Sequence, residues 1–300
     1  MNSFSLTDLE RVDHRQPILI AGPTASGKSD LAMEIARRHG GLIVNADAIQ
    51  VYSNWRVLSA RPSAEDEAEI DHALYGHLAR DAHYSVGHWL REVRPLIREA
   101  KRPIVTGGTG LYFTALTQGL AELPPISESL RQEANDRVRK YGFQILLDDI
   151  DADTIQKLDV QNPMRVQRAW EVQQATGKSL SYWHSQTPTP DLPLENCCAI
   201  VMETDTEWLN TRIEQRFEKM VKAGALKEAA GHLPNWNENQ LSSKAIGARE
   251  LIAHLRGQLS LEQAQQSATI ATRQFAKRQR TWFRSKMRHW HWFDATHSKG

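Results

Sequence analysis

One short stretch near the amino terminus constrains the fold more than any other. Residues 17–37 read PILIAGPTASGKSDLAMEIAR, an apolar run followed by a glycine-containing loop and a helical segment. The loop fits the pattern G-x-x-x-x-G-K-[ST], with Gly22, Gly27, Lys28 and Ser29 at the fixed positions. Strand, glycine loop and helix in this order are the context in which the pattern forms a phosphate-binding loop. The stretch therefore predicts an α/β fold with an anion site at the start of a helix.

The loop has a specific chemistry. Successive backbone N–H groups and the helix N-terminus form a cradle for phosphate oxygens. Lys28 adds a positive charge for the terminal phosphate, and the Ser29 hydroxyl is placed to bind Mg²⁺. The predicted phosphate-binding residues are Gly22, Pro23, Thr24, Ala25, Ser26, Gly27, Lys28 and Ser29. The motif alone does not identify the phosphate compound.

Two more predicted strands end in polar residues. Asp47 follows the apolar segment Leu42–Asn45, and Thr109 lies in a GGTG turn after Pro103–Thr106. Ligands bind at the carboxyl ends of strands in open α/β sheets. From the residues alone, Asp47 could hold Mg²⁺ through water, act as a base or cap a turn. Thr109 could donate a hydrogen bond to a phosphate oxygen.

Composition and segment boundaries predict the domain organisation. A proline-rich linker, QTPTPDLPLEN, separates a helical middle region from the returning strand Cys197–Met202. We expect a flexible N-terminus at 1–16, an α/β core at 17–119 and 197–300, and a helical insertion domain with its linker at 120–196. The predicted fold class is α/β, a P-loop NTPase-like parallel sheet flanked by helices, with the helical insertion. Further predicted helices are 85–100, 128–141, 206–221 with Asp205 as its cap, 244–255 and 261–286.

The cysteines and the hydropathy pattern narrow the protein class. The two cysteines, Cys197 and Cys198, are adjacent, which excludes a disulfide framework and a cysteine-based zinc site within this chain. No stretch approaches the ~18–20 apolar residues of a membrane span. We expect a reducing, cytoplasmic compartment and no membrane partner.

The C-terminal region is strongly basic. Residues 273–288 read RQFAKRQRTWFRSKMR, without an acidic residue, and Trp290 and Trp292 follow. Basic residues interleaved with aromatics are typical of a surface that binds a nucleic-acid backbone. A solvated basic helix with a few aromatics in the core gives the same pattern, and the composition leaves both interpretations open.

Several segments together resemble one family. They are GPTASGKS at 22–29, NADAIQVY at 45–52, PIVTGGTGLYFTAL at 103–116, NPMRVQRAWEV at 162–172, TGK at 176–178, RIEQRFEKM at 212–220, AIGARE at 245–250 and ATRQFAKRQRTWFR at 271–284. In this order, they resemble the bacterial-type tRNA dimethylallyltransferases, also called tRNA isopentenyltransferases. The resemblance implies transfer of a dimethylallyl group from dimethylallyl diphosphate to N6 of adenosine 37, beside the anticodon of tRNA. The expected partners are tRNA, through its anticodon stem-loop, and the diphosphate, with Mg²⁺ as cofactor and the protein a monomer.

The resemblance also implies roles for individual residues. Asp47 is the expected base, Lys28 with Mg²⁺ stabilises the departing diphosphate, and Thr109 contacts the oxygen of the breaking bond. Arg216 is expected to contact the diphosphate, with Arg212 as the second choice. The implied tRNA-binding residues are Asp47, Ala48, Ile49, Gln50, Thr109, Arg131, Gln161, Asn162, Pro163, Met164, Arg165, Lys244, Ala245, Ile246, Gly247, Arg249, Arg273, Lys277, Arg278 and Arg280.

The chain departs from the family pattern at three positions. Ala48 stands where Ser is usual, Arg61 where Lys is usual and Ala248 where Tyr is usual. These departures affect secondary contacts to tRNA or donor rather than the implied catalytic residues. Three alternatives share features of the sequence: an ATP-dependent small-molecule kinase, a prenyltransferase acting on free adenine nucleotides, and an RNA-binding module without catalytic activity.

Overall fold

The computed structural model describes residues 3–4 and 6–296, which divide into two compact units. Residues up to 117 together with 191–296 form the first unit, and 118–190 form the second. The linker pattern predicted an insertion that ends at 196. Asp191 and Leu192 instead pack within the first unit, because the Asp191 carboxylate pairs with Arg94 at 2.6 Å and the Leu192 N–H bonds the Leu116 carbonyl.

A parallel sheet forms the centre of the first unit. Its seven strands among the described residues follow the spatial order β1-β7-β6-β2-β5-β3-β4, and every neighbouring pair is parallel. The strands are β1 (Ser3–Phe4), β2 (Ile18–Ala21), β3 (Leu42–Asn45), β4 (His72–Ala73), β5 (Pro103–Gly107), β6 (Cys198–Glu203) and β7 (His291–Asp294). This confirms the predicted α/β class with a parallel sheet.

The central strands read as apolar runs because both of their faces are covered. β2 and β5 are buried along their whole length, as expected for a parallel sheet that packs between helices. In the register of these strands, Ala21 lies opposite Gly107, and Asn45 lies opposite Thr106. The loops that follow β2, β3 and β5 therefore begin side by side at one edge of the sheet.

Helices surround the sheet. In the first unit they are α1 (Leu6–Leu9), α2 (Lys28–His39), α3 (Ala64–Glu69), α4 (Val86–Glu99), α5 (Gly110–Gln118), which ends at the boundary, α10 (Thr206–Lys222), α11 (Ala225–His232), α12 (Ala248–Leu255) and α13 (Leu261–Lys286). Asp205 caps α10 as predicted, since its Oδ1 accepts hydrogen bonds from the N–H groups of Glu207 and Trp208, each at 2.9 Å. Side-chain capping of this kind satisfies N–H groups that have no partner inside the helix.

The second unit is helical. It contains α6 (Glu128–Tyr141), a 3₁₀ helix (Phe143–Asp149), α7 (Ala152–Lys157), α8 (Pro163–Thr176) and α9 (Leu180–Ser185). Trp170 of α8 lies at the centre of its core, together with Leu146 and Val166. Its own core explains why this segment forms a separate unit.

Some elements differ from the sequence-based expectation. The predicted helix 244–255 is a 3₁₀ turn at Ser242–Lys244 and then α12, because Gly247 adopts a φ of +95° that interrupts the helix. Strands β1 and β7 were not predicted. The segment 1–16 was expected to be flexible; residues 1, 2 and 5 lie outside the described residues, whereas Leu9 is buried and Arg102 donates to the Asp13 carbonyl at 2.7 Å. No helix among the described residues has the length and apolar character needed to cross a membrane.

Candidate active site

Three loops at the carboxyl edge of the sheet form the candidate site. They follow β2, β5 and β3, and we call them the phosphate loop (22–29), the glycine turn (107–110) and the aspartate loop (46–50). Backbone hydrogen bonds join them, from the Gly22 N–H to the Gly107 carbonyl at 3.3 Å and from the Thr109 N–H to the Ala46 carbonyl at 3.1 Å. The predicted residues of all three loops are thus brought together by the sheet.

The phosphate loop owes its shape to specific residues. Gly27 has a φ of +89°, which places it in the left-handed region that glycine adopts without strain. A Cβ on Gly22 would lie 2.7 Å from the Ser26 hydroxyl oxygen and 2.8 Å from Cβ of Met202. Ala25 is held in a left-handed conformation, and its carbonyl accepts a hydrogen bond from Arg212 Nε at 2.9 Å. Arg212 therefore supports the loop from α10, in addition to its expected second place as a diphosphate contact.

Two cations lie close together at the end of the loop. Burial, together with the nearby positive charge of Arg216, lowers the pKa of Lys28 from its ordinary 10.5 to about 8, although the charges of Asp47 and Asp30 act in the opposite direction. Burial likewise lowers the pKa of Arg216, and repulsion from Arg212 adds to it, while Asp47 again opposes the shift. The side chains of Lys28 and Arg216 form no hydrogen bond or ion pair with another described residue. Like charges held together in this way favour a bound anion.

A cavity of about 570 Å³ opens beside the phosphate loop. Positively charged side chains contribute much of its lining, namely Lys28, Arg56, Arg61, Arg212, Arg216 and Lys219. Another part of the wall is apolar and is formed by Val57, Ala60, Met220 and Ala223. Glu228 of α11 holds the 56–58 part of this wall, since its carboxylate accepts the N–H groups of Arg56, Val57 and Leu58. The cavity is therefore suited to a molecule with an anionic head and an apolar tail.

Asp47 is held by its own loop. Its Oδ1 accepts the N–H of Ile49 at 2.9 Å and that of Gln50 at 3.4 Å, and its N–H donates to Asn45 Oδ1 at 2.8 Å. Oδ2 accepts no hydrogen bond from the described residues. The side chain thus caps a turn through one oxygen, which is one of the three interpretations from the sequence. The role of Asp47 as a base or as a holder of Mg²⁺ stays a prediction.

Thr109 faces the aspartate loop. Its hydroxyl oxygen accepts the N–H of Ala48 at 3.0 Å. A hydroxyl that accepts in this way keeps its proton for another acceptor. Thr109 can therefore donate a hydrogen bond to a ligand while the Ala48 N–H fixes its orientation.

The glycines of the glycine turn make room for protein rather than for a ligand alone. A Cβ on Gly108 would lie 2.2 Å from Nε2 of Gln279, and a Cβ on Gly110 would lie 2.2 Å from the indole of Trp282. A Cβ on Gly107 would lie 2.1 Å from the Ala46 carbonyl oxygen. The turn is rich in glycine because α13 and the aspartate loop pack directly against it.

Sequence reasoning missed two tyrosines near Asp47. Burial raises the pKa of Tyr75 and of Tyr112, and the negative charge of Asp47 raises both further. Tyr112 packs flat against Trp89, with ring centroids 4.5 Å apart. Their positions on loops and short helices gave no periodic signal in the sequence. Both hydroxyls stay protonated and can act as hydrogen-bond donors.

The protein oxygens at this site fit an Mg²⁺ ion that takes most of its ligands from a bound phosphate compound and from water. Ser29 is exposed at the first turn of α2 and offers one hydroxyl oxygen. No cluster of three His, Cys, Asp or Glu side chains suited to a metal occurs in the part of the chain that the structure describes. Mg²⁺ commonly binds through one or two protein oxygens together with phosphates and water, which matches this arrangement.

The aspartate loop and the 244–249 segment present fewer free groups than the resemblance implied. Gln50 donates both amide hydrogens within the protein, to the carbonyls of Ser59 and Ala60, each at 2.9 Å. Ala245 and Gly247 are buried, and a Cβ on Gly247 would lie 2.6 Å from Phe217. Lys244 and Arg249 remain exposed, with Ile246 half-buried between them.

The four predicted tRNA-binding residues of α13 divide into two groups. Arg273 pairs with Glu214 at 3.1 Å, and Arg280 donates to the Thr206 hydroxyl at 2.7 Å, so both are turned toward α10. Lys277 and Arg278 are exposed. The aromatics of this region are mostly core residues: Phe283, Trp290 and Trp292 are buried, which favours the second of the two interpretations for them.

The remaining predicted tRNA contacts lie in the second unit. Asn162 caps α8 by accepting the N–H groups of Met164 and Arg165, and Pro163 occupies the first turn. Met164 is 75% exposed, Arg165 lies 3.9 Å from Asp159, and Arg131 lies 3.6 Å from Glu128. Gln161 is exposed in the turn before α8.

Comparison with known families identifies the chain. The family model described as IPP transferase matches residues 50–286, and the model described as Isopentenyl transferase matches residues 16–75. The chain belongs to the IPP transferase family. This confirms the resemblance seen in the sequence.

Named relatives extend over almost the whole chain. A protein of Ruegeria sp. (strain TM1040), named tRNA dimethylallyltransferase, is 53% identical over 285 residues that cover 95% of this chain and 98% of the relative. A protein of Roseobacter denitrificans with the same name is 56% identical and covers 92% and 97%. The solved tRNA isopentenylpyrophosphate transferase of Bacillus halodurans is 31% identical, with a TM-score of 0.67 over 94% of this chain and 90% of that one. A eukaryotic dimethylallyltransferase acting on tRNA, 24% identical with a TM-score of 0.80 over 94% and 74%, shares the fold. Together with the sheet, these structures confirm the predicted fold class.

Proposed function

We propose that this protein transfers the dimethylallyl group of dimethylallyl diphosphate to N6 of adenosine 37 in the anticodon loop of tRNA. One observation carries the proposal: Lys28, Thr109 and Asp47 meet at one sheet edge, in a chain of the IPP transferase family. An anion cradle, a hydroxyl donor and a carboxylate are the groups that this transfer needs.

The cavity beside the phosphate loop suits the donor. Its cations, led by Lys28 and Arg216, face the diphosphate, and Val57, Ala60 and Met220 offer an apolar wall for the five-carbon chain. A kinase substrate such as ATP would use the same cradle, but its polar ribose gains little from the apolar wall. This balance favours a prenyl diphosphate.

Departure of the diphosphate builds negative charge on the oxygen that bridges it to carbon. Lys28 and Arg216 offset charge on the phosphate oxygens, and the Thr109 proton is free to bond the bridging oxygen. Mg²⁺ held by Ser29 would neutralise further charge on the same group. Donors that are already oriented, as Thr109 is by the Ala48 N–H, stabilise such charge without reorganisation.

Asp47 serves the other reactant. The N6 lone pair forms the new bond to C1 of the dimethylallyl group, the C1–O bond breaks with its electron pair on the diphosphate, and one N6 proton passes to Asp47 Oδ2. The exocyclic amine is a weak nucleophile because its lone pair is delocalised into the ring, so removal of this proton assists the attack. The fixed Oδ1 keeps Oδ2 in place for that role.

The adenine that accepts the dimethylallyl group must reach this site from the folded anticodon loop of tRNA. N6 is not accessible in a stacked anticodon loop, so the base is turned out toward Asp47. Lys277 and Arg278 are exposed on α13 and offer charge for the phosphate backbone. Lys244 and Arg249 add two more exposed cations in the first unit. We propose that the protein acts as a cytoplasmic monomer, where its free, buried cysteines Cys197 and Cys198 remain reduced.

A transfer assay tests the proposal. The chain is incubated with Mg²⁺, radiolabelled dimethylallyl diphosphate and unmodified tRNA, and parallel reactions replace the tRNA with AMP or the donor with ATP. Label is expected in tRNA and is expected to be lost when adenosine 37 is changed to guanosine. Label on AMP alone, or phosphorylation by ATP without prenyl transfer, would refute the proposal.

The variant Asp47→Asn tests the base. It keeps the acceptor oxygen for the turn N–H groups but cannot take a proton, so turnover is expected to fall by about 10²–10⁴. Donor affinity is expected to stay within about twofold of the parent value, since Asp47 acts on the other reactant. An unchanged turnover would remove Asp47 from this role.

A further inference from the structure

The structure assigns Gln279 as a positioning residue that locks the phosphate loop and the glycine turn together. Its amide oxygen accepts the Thr24 N–H at 2.9 Å, and its amide nitrogen donates to the Gly108 carbonyl at 2.9 Å. The side chain is 5% exposed. This inference rests on the proposed function and names a residue that the sequence pattern did not assign to the site.

The backbone group that Gln279 bonds, the N–H of Thr24, differs from the N–H groups that remain for the ligand. The Thr24 N–H is taken by Gln279, and the Ser26 N–H bonds the Pro23 carbonyl at 3.2 Å. The N–H group of Thr24 is therefore bonded within the protein. The first N–H groups of α2, from Lys28 onward, have no carbonyl within the helix and remain for the anion. Gln279 acts on the substrate through the loop and does not touch it.

The Gly108 bond joins Gln279 to the residue directly before Thr109. Gly108 precedes Thr109, whose hydroxyl is proposed to bond the bridging oxygen of the donor. The cradle and Thr109 act on two ends of the same diphosphate ester. Their spacing must therefore match the substrate, and a misplacement of about 1 Å costs roughly 10²-fold in rate.

The backbone alone gives this spacing limited support. The Gly22 N–H to Gly107 carbonyl bond joins the two loops where they leave the strands, and at 3.3 Å it is a long one. Gln279 adds a second link farther along both loops. Two links at different points fix the angle between the loops, which a single link leaves free.

Trp282 strengthens the same contact. It lies one turn after Gln279 on α13, and its indole presses on Gly110 so closely that a Cβ there would lie 2.2 Å away. Gln279 and Trp282 together dock one face of α13 on the glycine turn. A buried amide with both ends bonded resists displacement, because a partner left unpaired in the interior loses its hydrogen bond without regaining water.

The decisive experiment compares variants at position 279. Gln279→Met keeps the length of the side chain and removes both hydrogen bonds, whereas Gln279→Glu keeps the acceptor for Thr24 and removes the donor to Gly108. Gln274→Met is the control, because Gln274 lies on the same helix and is exposed. For each protein we would measure kcat, KM for the donor, the Kd of inorganic diphosphate by calorimetry, tRNA affinity and Tm.

We expect Gln279→Met to lower kcat by about 10–10²-fold and to weaken diphosphate binding several-fold, with tRNA affinity within about twofold of the parent. Gln279→Glu should lose at least as much as the Met variant, because it buries a carboxylate whose second oxygen faces the Gly108 carbonyl oxygen. Gln274→Met should match the parent. A folded Gln279→Met protein with unchanged kcat and diphosphate affinity would overturn the inference. So would a uniform loss in every reading that follows Tm, since that would indicate a structural role only.

A second route breaks the same contact from the other side. In Gly108→Ala the new Cβ would lie 2.2 Å from Gln279 Nε2 and displace the amide. Its effect should therefore add little to that of Gln279→Met in the double variant, whereas full additivity would argue against a shared mechanism. If the parent chain shows no transfer but its diphosphate affinity depends on Gln279, the proposed function fails and the positioning role stands. If all variants transfer at the parent rate, the proposed function stands and the positioning role fails.

Discussion

Replacing Thr109 with valine removes both the observed and the proposed role of its hydroxyl, and the two losses can be told apart because one affects stability and the other affects rate. The oxygen accepts the Ala48 N–H at 3.0 Å, and the proton is free for the leaving group. Thr109→Val keeps nearly the same side-chain shape and removes both functions. Thr109→Ser keeps both and serves as the matched control.

The two losses differ in size. An N–H left without its partner in a part-buried loop costs about 1 kcal/mol of stability. In a chain of this size that shift corresponds to a Tm lower by about 2–4 °C. Loss of one oriented donor at developing negative charge costs about 10²–10³ in kcat. Catalysis should therefore suffer far more than folding.

Single-turnover transfer to tRNA, at a temperature well below both melting points, measures the chemical step. Thr109→Val is expected to show the full rate loss with a small change in Tm, and Thr109→Ser should stay within about tenfold of the parent rate. A valine variant that transfers at the parent rate would refute a role for the hydroxyl on the leaving oxygen. A large fall in Tm without loss of rate would show that the hydroxyl only supports the loop.

Three further predictions concern charge. The kcat/KM for the donor should fall as pH rises through about 8, where Lys28 of the free protein loses its proton; a flat profile from pH 7 to 9.5 would contradict this. That pKa lies below the ordinary 10.5, so between pH 8 and pH 10.5 the folded state binds fewer protons than the unfolded state. Burial of the charged Lys28 therefore destabilises the fold below pH 8. This penalty disappears as the pH rises to 10.5. Lys28→Met should thus raise Tm at pH 7, lose that gain at high pH and bind diphosphate poorly, as thermal scans and calorimetry would reveal. Replacing Lys277 and Arg278 with alanine should reduce the slope of log K against log salt for tRNA by about 1.4 to 1.8, whereas the same change at Lys101 and Arg15, exposed at the opposite edge of the sheet, should leave the slope unaltered.

Local sequence determined the elements of the site. The phosphate loop, the ends of β3 and β5 and the Asp205 cap were all predictable, because glycine conformations and capping bonds depend on residues a few positions away. The parallel sheet then followed from apolar strands alternating with helices. The position of Asp47 and Thr109 beside the phosphate loop is a consequence of that topology.

Tertiary structure decided which partners the polar side chains take. Gln279 bonds Thr24 across 255 positions and Gly108 across 171 positions. Helical spacing places Gln279 on the buried face of α13 with Ala276 and Phe283, whereas Gln274 is exposed. The identity of the two distant backbone partners of Gln279 is set by the tertiary structure alone. The same holds for Arg273, which pairs with Glu214, although its residue type suited a nucleic acid.

The glycine turn shows most clearly which features the sequence determined and which the tertiary structure decided. The GGTG sequence predicted a tight turn, and the turn is there. The reason for its glycines, however, is the close approach of Gln279 and Trp282 from α13. A sequence specifies where a backbone can bend, since that depends on the residue itself. What the bend must accommodate depends on the packing of a helix that returns to the turn from the far end of the chain.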